Sequence, residues 1–198
     1  IFTTEFEGVI PGLLKRWYSE RKELQGMLKK AKDAGNSTEI EYWDKRQLVK
    51  KINLNSLYGA LLNPGSRFFD ERLGQSTTLT GRCIAKHMAA ELNKVIAGEY
   101  DHTGKAIVYG DTDSTYFSAY PVLKDQIDKG EIAWDKDTII EYYDAVGEEV
   151  NKTFPDFMHN NFHTTHNLGK IIATGREIVG EAGIFITKKR YAILVYDN

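Results

Sequence analysis

The chain has 198 residues, a hydrophobic fraction of 41%, a charged fraction of 27% and a formal net charge of −2. That composition suits an ordinary globular chain with one core, or one core and an appended subdomain. It excludes a membrane partner, because no apolar run is long enough to span, and it excludes a surface given over wholly to nucleic acid, which would be basic throughout.

Residue 11 is a proline, suited to the first turn of a helix. Residues 13–32 are rich in Leu, Lys, Glu and Gln and predict a helix. Ala34-Gly35-Asn36 ends it with turn chemistry, and Thr38 with Glu41 reads as a capping box opening a second helix that runs through Trp43 and Leu48 to about Ser56. Two helices joined by a short polar turn make an antiparallel hairpin. Asn63-Pro64-Gly65 breaks the chain. Ile84, Met88, Leu92 and Val95 then recur at helical spacing and predict a helix over 76–97, with Cys83 and Met88 packed inside. Residues 106–109 and 114–118 read as two short strands flanking Gly110-Asp111-Thr112-Asp113, a hairpin tipped by two acids. Ile139, Tyr143, Val146 and Val150 mark a further helix, and 170–173, 183–187 and 191–196 read as strands. The fold class that follows is α+β, with helices packed on an antiparallel sheet and a helical hairpin beside it.

Basic residues crowd the first quarter, from Lys15 and Arg16 to Lys50 and Lys51, and recur at Lys188, Lys189 and Arg190; acids concentrate between Asp125 and Glu149. On charge alone, solvated helices explain this as well as a phosphate-facing side does. The lone Cys83 excludes an internal disulfide framework and fits a reducing, cytoplasmic compartment. The first twelve residues lack a basic n-region, and residue 1 is not methionine, which fits a piece of a longer protein.

Three constellations carry chemistry. Asp111 and Asp113 lie two apart, so a strand or tight hairpin turns them to one side. Paired carboxylates repel unless a cation sits between them, and all-oxygen ligands favour Mg²⁺ or Mn²⁺. Lys51, Asn55 and Tyr58 fall four and seven apart on one helical face, where a cation, an amide and an aromatic ring could hold a triphosphate, a sugar and a base. Arg21, beside Lys22, offers a planar fork to phosphate oxygens. Taken singly, a solvated turn and ordinary charged helix surfaces explain each of them better. His159, His163 and His166 could face a zinc ion, but their polar, turn-like surroundings read as loop. Trp17, Trp43 and Trp134 read as packing residues rather than stacking platforms.

Read as whole strings the odds change. Residues 50–59, KKINLNSLYG, and 108–114, VYGDTDS, resemble the fingers-helix and palm signatures of the family B DNA polymerases, in the family's order and with a helix between them. Residues 8–27 look like the first fingers helix. Arg176-Glu177 and TKKRYA at 187–192 look like late palm elements of the tailed-bacteriophage branch. The resemblance implies fingers over 1–58 and a partial palm over 59–198. It implies template-directed transfer of a nucleotide from dNTP to a primer 3′-hydroxyl with two Mg²⁺ ions, Mn²⁺ being an alternative. Asp111 and Asp113 match the palm carboxylates that hold metal, with Glu177 as an auxiliary acid. Arg21, Lys51 and Asn55 match residues at the incoming triphosphate, and Tyr58 one at the nascent base pair. Lys188, Lys189, Arg190 and Tyr191 match a segment on the primer–template duplex.

Gln25 stands where the family's first fingers helix has a lysine, and Gly175 where the phage branch often has an aspartate. The family's other palm aspartate, its exonuclease region and its thumb are not in these residues. A partner polypeptide carrying them is therefore expected, and the isolated chain is expected to be inactive or nearly so. The rival from another class is a catalytically silent DNA- or nucleotide-binding partner in a split polymerase. A different Mg²⁺-dependent phosphoryl-transfer enzyme or nuclease would explain the two aspartates but not Lys51, Asn55 and Tyr58.

Overall fold

The computed structural model describes residues 5–197. Among them are six helices and four strands, a mixed α+β architecture, and the chain divides into two compact units, Ile1–Thr77 and Thr78–Asn198.

In the first unit α1 (Val9–Asp33) and α2 (Ser37–Leu61) form the expected antiparallel hairpin. Lys30 and Lys32 in the last turn of α1 favour its negative end. Gly35 takes φ 67°, and the N–H groups of Gly35 and Asn36 return to the carbonyls of Lys32 and Ala31, a Schellman close that only glycine enters without strain. Asn36 then caps α2, its side chain accepting from the Glu39 N–H at 3.3 Å. The cap expected at Thr38 lies inside the helix: Asn is as good a cap, and Gly35 delivers the chain to it two residues earlier. Facing helices are tied by a Glu20–Lys50 ion pair and an Arg21 Nε bond to Gln47. The Lys50 ammonium, and then Arg16, hold the Glu20 carboxyl below its usual range. After the break at 63–65, Asp70 accepts from the Arg72 N–H and guanidinium, which lowers its pKa to about 2 and opens α3 (Glu71–Ala97) five residues ahead of expectation.

The second unit continues α3 into the hairpin β1 (Ile107–Asp111) and β2 (Ser114–Phe117), then α4 (Tyr120–Asp128), α5 (Lys136–Phe162), the one-turn α6 (His166–Gly169) and the hairpin β3 (Val179–Thr187) and β4 (Arg190–Asp197). The strands make two separate antiparallel pairs. Met88, Leu92 and Ile96 of α3 meet Val146, Val150 and Phe154 of α5, with Ala106 and Ala119 at the ends of the first hairpin. Apolar burial of this kind is the main favourable term of the fold. Asn93 is buried among them; its amide donates to the Glu99 carbonyl and accepts from the Ala106 N–H, which fixes the entry to β1.

Several expectations are corrected. Cys83 is exposed and Val95 is 41% exposed, because the core face of α3 runs through Met88, Leu92 and Ile96 instead. Residues 170–173 are not a strand: they leave α6 in turns, and the next residue, Thr174, is held by the Asn151 side chain of α5 rather than by a ladder. The third strand, β3, begins at Val179, four residues ahead of expectation, and α4 and α6 had no counterpart in the periodicity.

His87 of α3 is buried against α5, stacked on Phe157 with centroids 3.8 Å apart. Thr153 Oγ1 donates to the Val150 carbonyl, so it accepts from His87 Nε2, and Nδ1 is left to accept from the Tyr100 hydroxyl. Burial pushes the imidazole below its ordinary 6.5, with Glu91 opposing and Lys94 adding. A base with a depressed folded pKa binds fewer protons folded than unfolded, so stability rises with pH between that lowered value and about 6.5. Unfolding midpoints measured across this window are expected to climb with pH and to lose that component in His87→Gln; an unchanged slope would refute the neutral, buried assignment.

Candidate active site

Two hairpin tips meet in the second unit. Asp111 closes β1 opposite Ser114, and Thr112-Asp113 form a two-residue turn with Thr112 in the left-handed region, φ 55°. Ser114 Oγ donates to the Asp111 carbonyl at 3.1 Å. Asp113 is exposed at the tip. Asp111 is not bare: its Oδ1 accepts from Thr112 Oγ1 at 3.1 Å, and its Oδ2 lies 3.2 Å from Lys189 Nζ. The Lys189 ammonium is the main reason its carboxyl is held below the usual carboxylate range.

Lys189 comes from the other tip, the two-residue turn Lys188-Lys189 between β3 and β4, where it too is left-handed, φ 62°. Its backbone N–H donates to the Tyr109 hydroxyl at 2.9 Å. Behind it the Tyr116 hydroxyl donates to that of Tyr191 at 2.7 Å, and Phe185 packs against Tyr109, Tyr116 and Tyr191. The hydrogen bond to Tyr191 is the chief reason the Tyr116 hydroxyl is pushed up to about 12. Aromatic packing of this kind adds to area burial and fixes one hairpin on the other. Lys188 is exposed on the same turn, and Arg190 and Tyr191 are exposed at the start of β4. Tyr109 and Tyr116 were given no role by the sequence, although Tyr109 stands inside the VYGDTDS string.

Glu177 is exposed on the irregular run between α6 and β3, and with Asp113 it lines a cavity of about 790 Å³ whose other walls include Met88, Phe117 and Phe154. The preceding Arg176 bonds Asp144 of α5 at 2.6 Å and Asp197 of β4 at 2.7 Å, which anchors this run. Gly175 lies on it, also exposed. No cluster of three or more His, Cys, Asp or Glu side chains is gathered for a metal ion among the described residues. Asp111 and Asp113 are hard oxygen donors of the kind Mg²⁺ takes, one or two at a time, when substrate phosphates complete its shell. His159 and His166 stack at 4.5 Å, with His159 bonded to the Thr164 carbonyl and His166 to Asp156, while His163 ends α5 in a left-handed turn.

In the first unit Lys51, Asn55 and Tyr58 follow one side of α2; Lys51 and Asn55 are exposed and Tyr58 is half-buried. Arg21 is half-buried and bonded to Gln47, and Gln25 sits one turn further along α1. Lys22 lies over the Tyr18 ring at 5.5 Å. No helix among the described residues is long and apolar enough to cross a membrane.

Fold and site thus define an α+β protein with an acid-tipped hairpin, a basic turn docked on it, and a lysine-bearing helical hairpin as a separate unit. Residues 2–198 match the model of DNA polymerase family B, and the chain belongs to that family. It is 33% identical over 167 residues to the DNA-directed DNA polymerase of Enterobacteria phage T4, covering 76% of this chain and 18% of that protein. It is 29% identical over 163 residues to that of Escherichia phage RB69, with coverage of 76% and 18%. The DNA polymerase of Pyrococcus glycovorans is 25% identical over 193 residues, 98% of this chain and 20% of that one. The chain therefore spans about a fifth of the length of these relatives.

Proposed function

We propose that the chain supplies the fingers, over residues 1–58, and part of the palm, over 59–198, of a DNA-directed DNA polymerase acting on dNTP and primed template. The observation that carries this reading is the tip itself: an exposed Asp113 beside an Asp111 that already holds a cation. Divalent cations held there, Mg²⁺ above all, would supply charge neutralisation for the phosphoryl group and activation of the primer hydroxyl. In this reading Asp113 and Asp111 are their ligands, and Glu177 is an auxiliary acid across the cavity. Arg21, Lys51 and Asn55 bind the triphosphate, and Tyr58 meets the nascent base pair. Lys188, Lys189, Arg190 and Tyr191 follow the duplex backbone, where contacts position without reading sequence.

A second reading is a catalytically silent binding partner within a split enzyme; it too accommodates described residues that gather no group of three or more metal-ligating side chains. In both readings a further carboxylate comes from a polypeptide outside these residues. Primer extension separates them: the chain alone is expected to extend nothing, and addition of a polypeptide carrying the family's other palm aspartate to restore synthesis. Extension by the chain alone would contradict the need for that acid, and failure to restore would favour the silent partner. In the restored enzyme Lys51→Ala should weaken dNTP binding about ten- to a hundredfold, the size of a lost charge-assisted contact; an unchanged dNTP Kd removes that role.

A further inference from the structure

The Asp111–Lys189 pair joins two groups that the reading above places in different tasks, one with the metal and one with the primer. We propose that the two exchange partners: the Lys189 ammonium is the resident counter-ion of Asp111, is displaced when a divalent cation arrives, and is thereby released toward the primer backbone. This rests on the metal reading of the hairpin tip given above.

Four features support it. Both Asp111 oxygens are engaged, one by Thr112 and one by Lys189, so a cation entering at Oδ2 must compete with the ammonium. The pair is unequal: the Asp111 side chain is 17% exposed and that of Lys189 is 68% exposed, so the lysine head is the part free to leave. The lysine backbone is held whatever its head does, because the Tyr109 hydroxyl fixes the 189 N–H and the Phe185–Tyr191 stack fixes the turn. Lysine is also a compact point charge on a flexible stem, suited to trading one anion for another where the forked arginine is not. Neighbouring Lys188 faces Asp111 only through longer-range attraction, so it does not duplicate the contact.

Displacement by the metal keeps the charge at Asp111 compensated throughout. A tip with two bare acids would repel itself in the absence of metal, and a lysine bound permanently to Asp111 would be lost to the duplex. Coupling then follows by linkage: whatever favours the metal at Asp111 favours DNA at Lys189, and the reverse by the same factor.

The test uses Mn²⁺ as the probe, followed by electron paramagnetic resonance on the chain together with the polypeptide that carries the family's other palm aspartate, without DNA or nucleotide. Lys189→Gln keeps the stem and the backbone bond but removes the competitor, and is expected to tighten Mn²⁺ binding about two- to fivefold, the size of one partly exposed ion pair. Lys189→Arg, whose fork grips a carboxylate more firmly, is expected to weaken it. In parallel, Asp111→Asn should give, without metal, the tighter primer–template binding that the parent chain reaches only with Mn²⁺ present. Mn²⁺ binding that Lys189→Gln leaves unmoved would overturn the exchange while leaving the metal reading intact. No Mn²⁺ binding by parent or variant would remove both, and binding by the variant alone would support the exchange most strongly.

Discussion

Asp113→Asn is expected to slow single-turnover primer extension by about a thousandfold or more in the restored enzyme, while primer–template affinity holds or rises. The substitution keeps the size and the turn but removes the one tip carboxylate without a cation of its own: Asp113 is exposed, and Asp111 carries Lys189. Charge placed where it develops in the transition state is among the largest catalytic terms; removing one such donor costs about a hundred- to a thousandfold, and a metal ligand is asked to do more. Because the group acts on the reacting phosphoryl rather than on binding, kcat should fall with little change in the dNTP Kd. A loss smaller than about tenfold would take Asp113 out of the metal shell.

Phe154→Ala should lower the unfolding free energy by about 3–5 kcal/mol, the range for emptying a buried aromatic site. Phe154 is 1% exposed, lies at the centre of the α3–α5 core and meets the His87 ring edge-on at 5.7 Å. It also walls the cavity shared by Asp113 and Glu177, so its loss enlarges a space already present and gives the neighbours little to collapse onto. The following Pro155 has no N–H to give α5, which leaves that turn more dependent on packing. The denaturation midpoint should drop with the slope unchanged; a loss below about 1 kcal/mol would mean the core closes around the gap.

Helix existence was legible wherever periodicity ran long. The rows through Met88 and Leu92 and through Val146 and Val150 became helices, as did 13–32, where helix-forming composition stood in for a row. Ends were less so, because competing local chemistries decide them: Asn36 outbids Thr38 as a cap, and Asp70 with Arg72 starts α3 early. The apolar pair Ile171-Ile172 looked like a strand but follows α6 in turns, since Thr174 is drawn to the Asn151 side chain instead of to a neighbouring strand. For the site, the two signature strings named Asp111, Asp113, Lys51, Asn55 and Tyr58 because each string is local. The contacts that join Asp111 to Lys189 and Tyr109 to the 188–189 turn cross about eighty residues, and no spacing rule reaches that far.

The run from Lys170 to Glu177 has neither ladder nor helix, yet with the glycine before it the segment is fastened at three points. A side chain at 169 would sit 2.8 Å from Pro155 Cα, so only glycine lets the chain lie against α5 there. Thr174 is gripped by Asn151, and Arg176 by Asp144 and Asp197. Because two of those fasteners and half of the third belong to α5, the strap moves as a passenger of that helix. A carboxylate at 177 mounted this way is aimed by a rigid rod rather than by its own backbone, which gives loop sequence the pointing accuracy of regular structure.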